Sequence, residues 1–494
     1  MRSIDTLRGV TLAALLCTAV PAAADDDPEL EALRSRVDAL ARQNAELQRT
    51  VQTLGDDVRA ARDDAETARA RTESLPPVAA VPGDADPLLS APLGRSGARL
   101  QLLDVSLDVI WAAGGSTARD EDLQVLQGGN HDPRQRGFSL PQIELSFLGA
   151  VDPYFTGEAH LLYFLDSEGE SRFEIEEAFA RTMQLPWGLH ERGFQLELGT
   201  FLTEFGRHNP THAHAWSWQD QPVILTRLFG EDGMRGPGVS LGWLAPVDWY
   251  SEVFVGAQTA KGETMVSFLA NDEVFEERPI GGRPFAAGDT RNPGDLVYHA
   301  RWVNGFDVGD TVAAQVGVSG LYGGNATGGS TLTYGLDWVV KWLPLVSDRG
   351  WPYLTFEGEI LRRDYHADAF TGCAEPEDEG ACDEPVHLGS DTLHDWGGYT
   401  QLLWGFRRAW SAGLRYEYAT GSGASVGPYG GRSEDPFRDD RHRVSPLLEY
   451  QPTEFSRLRL QYNYDRFEHG AQSAAHSVWL GLEIALGSHP AHGF

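Results

Sequence analysis

The chain has 494 residues, with 72 Asp and Glu against 40 Lys and Arg, a formal charge of -32. That balance, with a pI near 4.7, excludes the basic surface that nucleic-acid binding requires, and no nucleic-acid partner is expected. Mean hydropathy is -0.33, and no run beyond the N-terminus is long and apolar enough for a membrane-spanning helix. A transmembrane barrel stays open, because alternating strands carry little net hydropathy.

Residues 1–24 read as a secretory signal, with Arg2 and Arg8 before the apolar run Val10–Val20 and an Ala22-Ala23-Ala24 cleavage site. Residues 28–70 follow a heptad pattern. Leu30, Val37, Asn44, Val51 and Val58 fall at a, and Leu33, Leu40, Leu47 and Leu54 at d. One amphipathic helix cannot bury that seam alone, so a self-associating periplasmic α-helical coiled coil is expected. Val at a, Leu at d and the buried Asn44 favour a dimer, which a trimeric body would override. Residues 71–97 form a Pro/Gly-rich linker.

From residue 98 the hydrophobic period becomes two. Ile143, Leu145 and Phe147 alternate with Gln142, Glu144 and Ser146; Leu458, Leu460, Tyr462 and Tyr464 alternate with Arg457, Arg459, Gln461, Asn463 and Asp465. About sixteen such runs, each on the order of ten residues, occur between Arg99 and Gly487. The polar face is too charged for a dry sandwich core but suits a wet lumen. Aromatics gather near expected strand ends, among them Trp111, Trp243, Trp342 and Trp404. The pattern predicts an all-β transmembrane antiparallel β-barrel over 98–494, of about sixteen strands, preceded by the coiled coil. Short turns such as "LAPVDW" and "YQPTEF" alternate with long polar segments near 112–137, 202–235, 260–294, 366–395 and 420–440. Short turns at the periplasmic side and long loops outside are the barrel rule, with outer-membrane lipid around the wall. In an oxidising compartment, Cys373 and Cys382 are expected to close one of these loops as a disulfide.

The stretches "LGTFLTEFGRHNPTHAHAWSWQDQPVI" and "FGEDGMRGPGVSLGWLAP" and the tail "HPAHGF" resemble bacterial outer-membrane porin-like proteins with an N-terminal coiled coil. Relatives of this kind carry labels such as zinc-regulated TonB-dependent outer-membrane receptor or phosphate-selective porin-like protein. The resemblance implies a porin passing small hydrophilic solutes or ions, a homo-oligomer with a trimer favoured, and a terminal aromatic at Phe494 that assembly machinery would read. It also implies that the third outer loop folds into the lumen. That loop holds His208, Asn209, His212, His214, Trp216, Trp218 and Asp220, which would then shape the constriction.

Three readings stand side by side, two of this segment and one of the whole protein. In the first, its side chains line the narrowest part of the pore. In the second, His208, His212 and His214, with Asp220, hold Zn²⁺ in a metal-linked uptake protein; Pro210 argues against a regular helix pairing His208 with His212. In the third, the barrel is an anchor for a periplasmic tether. No resident cofactor is expected under the first reading. Strand parity places Glu144, Glu158, His160, Glu357, Glu359, Arg415, Glu417 and Glu449 in the lumen. Arg443, Arg457 and Arg459, from successive strands, would form a basic patch facing acidic loop residues and set a transverse field. The stretch "GSGAS" at Gly421–Ser425 reads as a flexible loop and H-E-x-x-H does not occur, so no enzyme is expected.

Overall fold

The computed structural model describes residues 103–166, 169–372 and 386–487, with the backbone alone of 90–93 and 98–101. The signal segment, the heptads, Cys373 and Cys382, and the tail with Phe494 lie outside the described residues. Sixteen strands close into one antiparallel barrel. In chain order they are β1 (Asp104–Ser116), β2 (Gly137–Ala150), β3 (Phe155–Leu165), β4 (Ser171–Thr182), β5 (Phe194–Leu202), β6 (Arg235–Leu244), β7 (Tyr250–Thr259) and β8 (Leu296–Val308). They continue as β9 (Val312–Gly324), β10 (Ser330–Trp342), β11 (Tyr353–Ala367), β12 (Asp391–Arg407), β13 (Trp410–Ser422), β14 (Arg441–Thr453), β15 (Ser456–Arg466) and β16 (Ala474–Gly487). Each pairs with its sequence neighbours, and β16 returns to β1 in the register Ser477–Ser116 to Gly487–Ser106. Closure leaves no unpaired sheet edge among these strands.

The barrel begins later than residue 98. Ala98–Gln101 pairs with Ser90–Leu93 in a separate two-stranded sheet, so a hairpin occupies the end of the expected linker. Elsewhere the period-two pattern sorts side chains as alternation requires. Along β15, Arg459, Gln461, Asn463 and Asp465 are buried inside, while Leu458, Leu460 and Tyr464 are exposed outside. An apolar outer face of this kind is solvated by lipid tails rather than water. Aromatics ring both ends. Trp243, Trp342 and Trp404 stand exposed near the short-turn rim, and Tyr298, Tyr322, Tyr334 and Trp396 near the other. Trp111 departs from the expected girdle: it sits mid-strand in β1, stacked on Phe138.

All the long connections leave from one rim, at 117–136, 203–234, 260–295, 368–390 and 423–440, and the opposite rim has turns such as 309–311 and 408–409. The long connections do not leave the lumen as a wide water-filled bore. Helix α1 (Asp120–Leu126), helix α2 (Val223–Phe229) and helix α3 (Asp272–Glu277) lie within them, and every residue of α2 is buried. Phe205, Leu228, Phe229, Met265 and Phe268 join inward side chains of the wall, including Leu321 and Leu361, in one apolar cluster. Burying each such side chain contributes about 1.5–3 kcal/mol. Loops that would otherwise carry large entropy are therefore held inside.

Candidate functional site

The segment 203–234 joins β5 to β6 and turns into the barrel at once. Gly206 has φ of +61°, and a Cβ there would meet Glu359 Oε2 at 2.1 Å, so this tight turn suits glycine alone. The turn's amides find acceptors on the wall. Gly206 N–H donates to Ser319 Oγ (3.0 Å), and those of Arg207 and His208 to Glu359 Oε1 (3.1 and 2.6 Å). Tyr399 Oη donates to the same oxygen at 2.9 Å. Asn209 clasps the neck of the loop: its Nδ2 donates to the carbonyls of Thr203 (2.8 Å) and Met234 (3.0 Å), and its Oδ1 accepts from Met234 N–H (2.8 Å).

Farther along, the segment is welded to β13–β16. Trp218 is buried, donates from Nε1 to the Ser445 carbonyl at 2.9 Å, and lies under the Arg415 guanidinium. Asp220 pairs with Arg415 and, at 2.9 Å, with Arg443; Gln461 Nε2 and Asn463 Nδ2 each donate to it at 2.7 Å. Burial opposes the Asp220 charge, yet Arg415 and Arg443 hold its pKa down at about 2. Arg459 Nη1 donates to the carbonyls of Trp216 (2.9 Å) and Trp218 (3.1 Å), and Arg457 Nη2 to that of His214 (2.6 Å).

These contacts correct the expected transverse field. Arg443 and Arg459 are each 1% exposed. Arg443 is also paired with Asp465 (2.8 Å), and Arg457 and Arg459 with Glu483 (2.6 and 3.0 Å). The basic wall is an anchor for the loop, not a charged face of the passage. Asn209, Trp218, Asp220 and Glu359 are likewise sealed structural groups. Glu357 receives Arg207 Nε at 2.9 Å and, with Trp216, borders a smaller space of about 240 Å³ on this side.

The open volume lies on the other side of the loop. A cavity of about 760 Å³ is bounded by β2–β5, β7–β9 and the residues 202–215. Glu144, Glu158, Glu177, Glu197 and Glu204 face it, against Arg181, Arg207 and Arg301. Arg181 is engaged by Glu197 at 2.7 Å. Burial pushes the Glu204 carboxyl up to about 7, with Arg301 opposing.

His212 and His214 reach this cavity; His208 does not. The His208 ring stacks on Trp216 with centroids 4.7 Å apart. Its Nε2 is buried without a hydrogen-bond partner among the described residues. Burial, with Arg415 and Arg207 nearby, pushes the His208 pKa down to about 3, so the ring is neutral. The grouping of His208, His212 and His214 around one ion is therefore overturned: the loop separates the first from the other two, and Asp220 is occupied by arginines.

In its place, His212 and His214 meet side chains from three strands. His214 Nδ1 lies 2.8 Å from Glu144 Oε2. His212 Nδ1 lies 2.7 Å from Glu176 Oε2, and its Nε2 lies 2.9 Å from Glu177 Oε2. His160 Nδ1 lies 2.9 Å from Glu144 Oε1, and its Nε2 lies 3.0 Å from Glu158 Oε1. Burial disfavours the charged His212 ring, but Glu176 and Glu144 outweigh it and hold the pKa well above the ordinary histidine value.

Glu176 and Glu177 both face inward because the β3–β4 register slips at His160/Leu161. A bulge of this kind re-aims side chains and places two consecutive residues on one face. Strand parity counted from Phe173 and Ile175 places Glu176 inward but misses Glu177. The available signal was in "FEIEEAF", where outward Phe173 and Ile175 give way to inward Phe179, so alternation flips phase at Glu176–Glu177.

No family model matches the chain. Solved barrels that align with it include the outer membrane channel DcaP of Acinetobacter baumannii, at 10% identity and a TM-score of 0.45, covering 81% of this chain and 100% of that one. The anion-selective porin from Comamonas acidovorans aligns at 9% identity and a TM-score of 0.42, covering 78% and 99%. A protein of Aquifex aeolicus (strain VF5), described as uncharacterized, is 30% identical over 418 residues, which are 80% of this chain and 80% of the relative. This chain and the Aquifex aeolicus protein belong to one family.

Proposed function

We propose that the protein is an outer-membrane channel that passes small hydrophilic cations in preference to anions, by passive diffusion. The reading rests above all on the cavity of about 760 Å³ between the inserted loop and the wall, where five glutamates, with Glu176 behind them on His212, outnumber three arginines and the rings of His160 and His212. Carboxylates in excess along a low-dielectric wall raise the local concentration of cations and repel anions. The lipid-compatible outer face and two aromatic rings support a bilayer setting. The long-loop rim then faces outward, and the heptads at 28–70 belong in the periplasm, where they favour a homo-oligomer, a trimer in keeping with the porin resemblance. The basic wall of Arg443, Arg457 and Arg459 contributes to this function by fixing the loop and not by contacting solute.

Planar-bilayer recording tests the proposal. The folded protein is expected to give discrete conductance steps and a cation-selective reversal potential in a salt gradient. Glu158→Gln combined with Glu197→Gln should move that potential towards zero. A folded barrel that gives no steps would remove the channel reading.

A further inference from the structure

The cluster on β2, β3, β4 and the loop is more elaborate than a diffusion passage needs. Ser146, His160 and Glu177 stand side by side across three strands, in the registers Ser146–His160 and His160–Glu177. The loop lays His212 on this row, its ring centroid 4.3 Å from that of His160. Among the described residues, one group with metal-ligand geometry stands out: one atom each from Glu144, His160 and His212, all within 4.8 Å of one another.

We propose that Nδ1 of His160, Nδ1 of His212 and Oε1 of Glu144 form a binding site for a first-row divalent ion such as Zn²⁺, on the wall of the lumen cavity. Three features carry this assignment. The first is spacing. Glu144 Oε1 lies 2.9 Å from His160 Nδ1 and 3.8 Å from His212 Nδ1. Two bonds of about 2.0–2.1 Å at a tetrahedral angle separate ligand atoms by roughly 3.4 Å, so small side-chain shifts suffice.

The second is the outer shell. Each imidazole already directs its other nitrogen, Nε2, at a carboxylate: His160 at Glu158 and His212 at Glu177. A ligating histidine that donates its second N–H to a carboxylate is held in the correct tautomer and made more basic. The third is charge. Glu144, Glu158, Glu176 and Glu177 converge on the two rings, and the open cavity beside them leaves a fourth position for water. Binding displaces the proton from each Nδ1 and keeps both Nε2 protons on their carboxylates. Two protons leave as one dication enters, so the buried carboxylates stay compensated.

The inference deepens the channel reading, since an ion held there would narrow the passage and reduce its conductance. Binding itself is measured without any conduction. The full chain, folded in detergent and stripped with chelator, is titrated with ZnCl₂ by calorimetry and with Co²⁺ by visible absorption. One ion per chain and the intense bands of four-coordinate Co²⁺ are expected. His160→Ala and His212→Ala should each weaken binding at least 100-fold, while His190→Ala, in an exposed turn, should not. Glu158→Gln keeps all proposed ligands and should weaken it roughly 10–100-fold, which decides the matter if an alanine variant fails to fold. No zinc binding by the folded barrel, or binding unchanged in His160→Ala, His212→Ala and Glu158→Gln, would overturn the site. Binding without conductance would leave the site and remove the channel; zinc-insensitive conductance without binding would do the reverse.

Discussion

The inserted segment meets the barrel in two opposite ways. From Trp216 to Gln221 every buried charge has its counterpart: Asp220 is shared by Arg415 and Arg443, and Arg459 is spent on loop carbonyls and Glu483. From Arg207 to His214 the balance tips, and carboxylates of three strands crowd the imidazoles beside an open cavity. Compensated charge makes an anchor; surplus charge of one sign makes a place for a mobile ion. The side of the loop that looked most electrostatic in the sequence is thus the sealed one.

The contrast can be broken most forcefully at Asp220. Asp220→Asn removes the carboxylate shared by Arg415 and Arg443, which keep only Glu417 and Asp465, a loss of about 3 kcal/mol. Thermal unfolding in detergent should register it, and single-channel recordings should grow noisier and larger as the loop comes loose. Because Asp220 is held at about 2, below its ordinary 3.8, its contribution is complete above pH 3.8 and is lost as pH falls through about 2. The wild type and Asp220→Asn should therefore converge in stability only at the acid end.

Asn209→Ala opens the neck clasp and strands the Met234 amide, at a cost of about 1–3 kcal/mol, visible in the same melts. A subtler test concerns Glu204, whose carboxyl sits at about 7. Raising the pH from 6 to 8 ionises it and adds negative charge to the passage, so cation selectivity should rise. In Glu204→Gln the reversal potential should lose that part of its pH dependence. The smallest expected effect is at His208. Its Nε2 has no partner, and its ring already stacks on Trp216, so His208→Phe should change stability by less than about 1 kcal/mol.

Much of the architecture is legible in the sequence because alternation reports directly on a two-sided wall. β2 and β15 carry their apolar residues outward as the pattern requires, and β11 does so at Phe356 and Ile360 while Leu361 and Tyr365 turn inward to meet the loops. The turns "LAPVDW" and "YQPTEF" both fall at the short-turn rim, and the histidine-bearing segment follows the fifth strand. The chemistry of the lumen is less legible, because it depends on register and on which charges find each other. Nothing local in "RLRLQYNYD" says that Arg459 is bound by loop carbonyls while Glu158, on a strand of similar pattern, faces open space. A one-residue bulge decides that Glu177 joins His212, and parity counted along the strand carries it to the wrong face. Spacing within "HNPTHAH" likewise suggests three equivalent imidazoles, whereas the turn at Gly206 puts His208 against Trp216 and His212 against β3 and β4.

The claim that solute passes on the acidic side and not beneath the anchored side is tested most directly by thiol block of single channels. In a background with Cys373 and Cys382 replaced by serine, Thr156→Cys places a thiol on the cavity wall, and Ser445→Cys places one under Trp218, where the native side chain is 0% exposed. A charged methanethiosulfonate reagent should cut the conductance of Thr156→Cys and leave Ser445→Cys unchanged. Block of Ser445→Cys, with Thr156→Cys indifferent, would contradict the account.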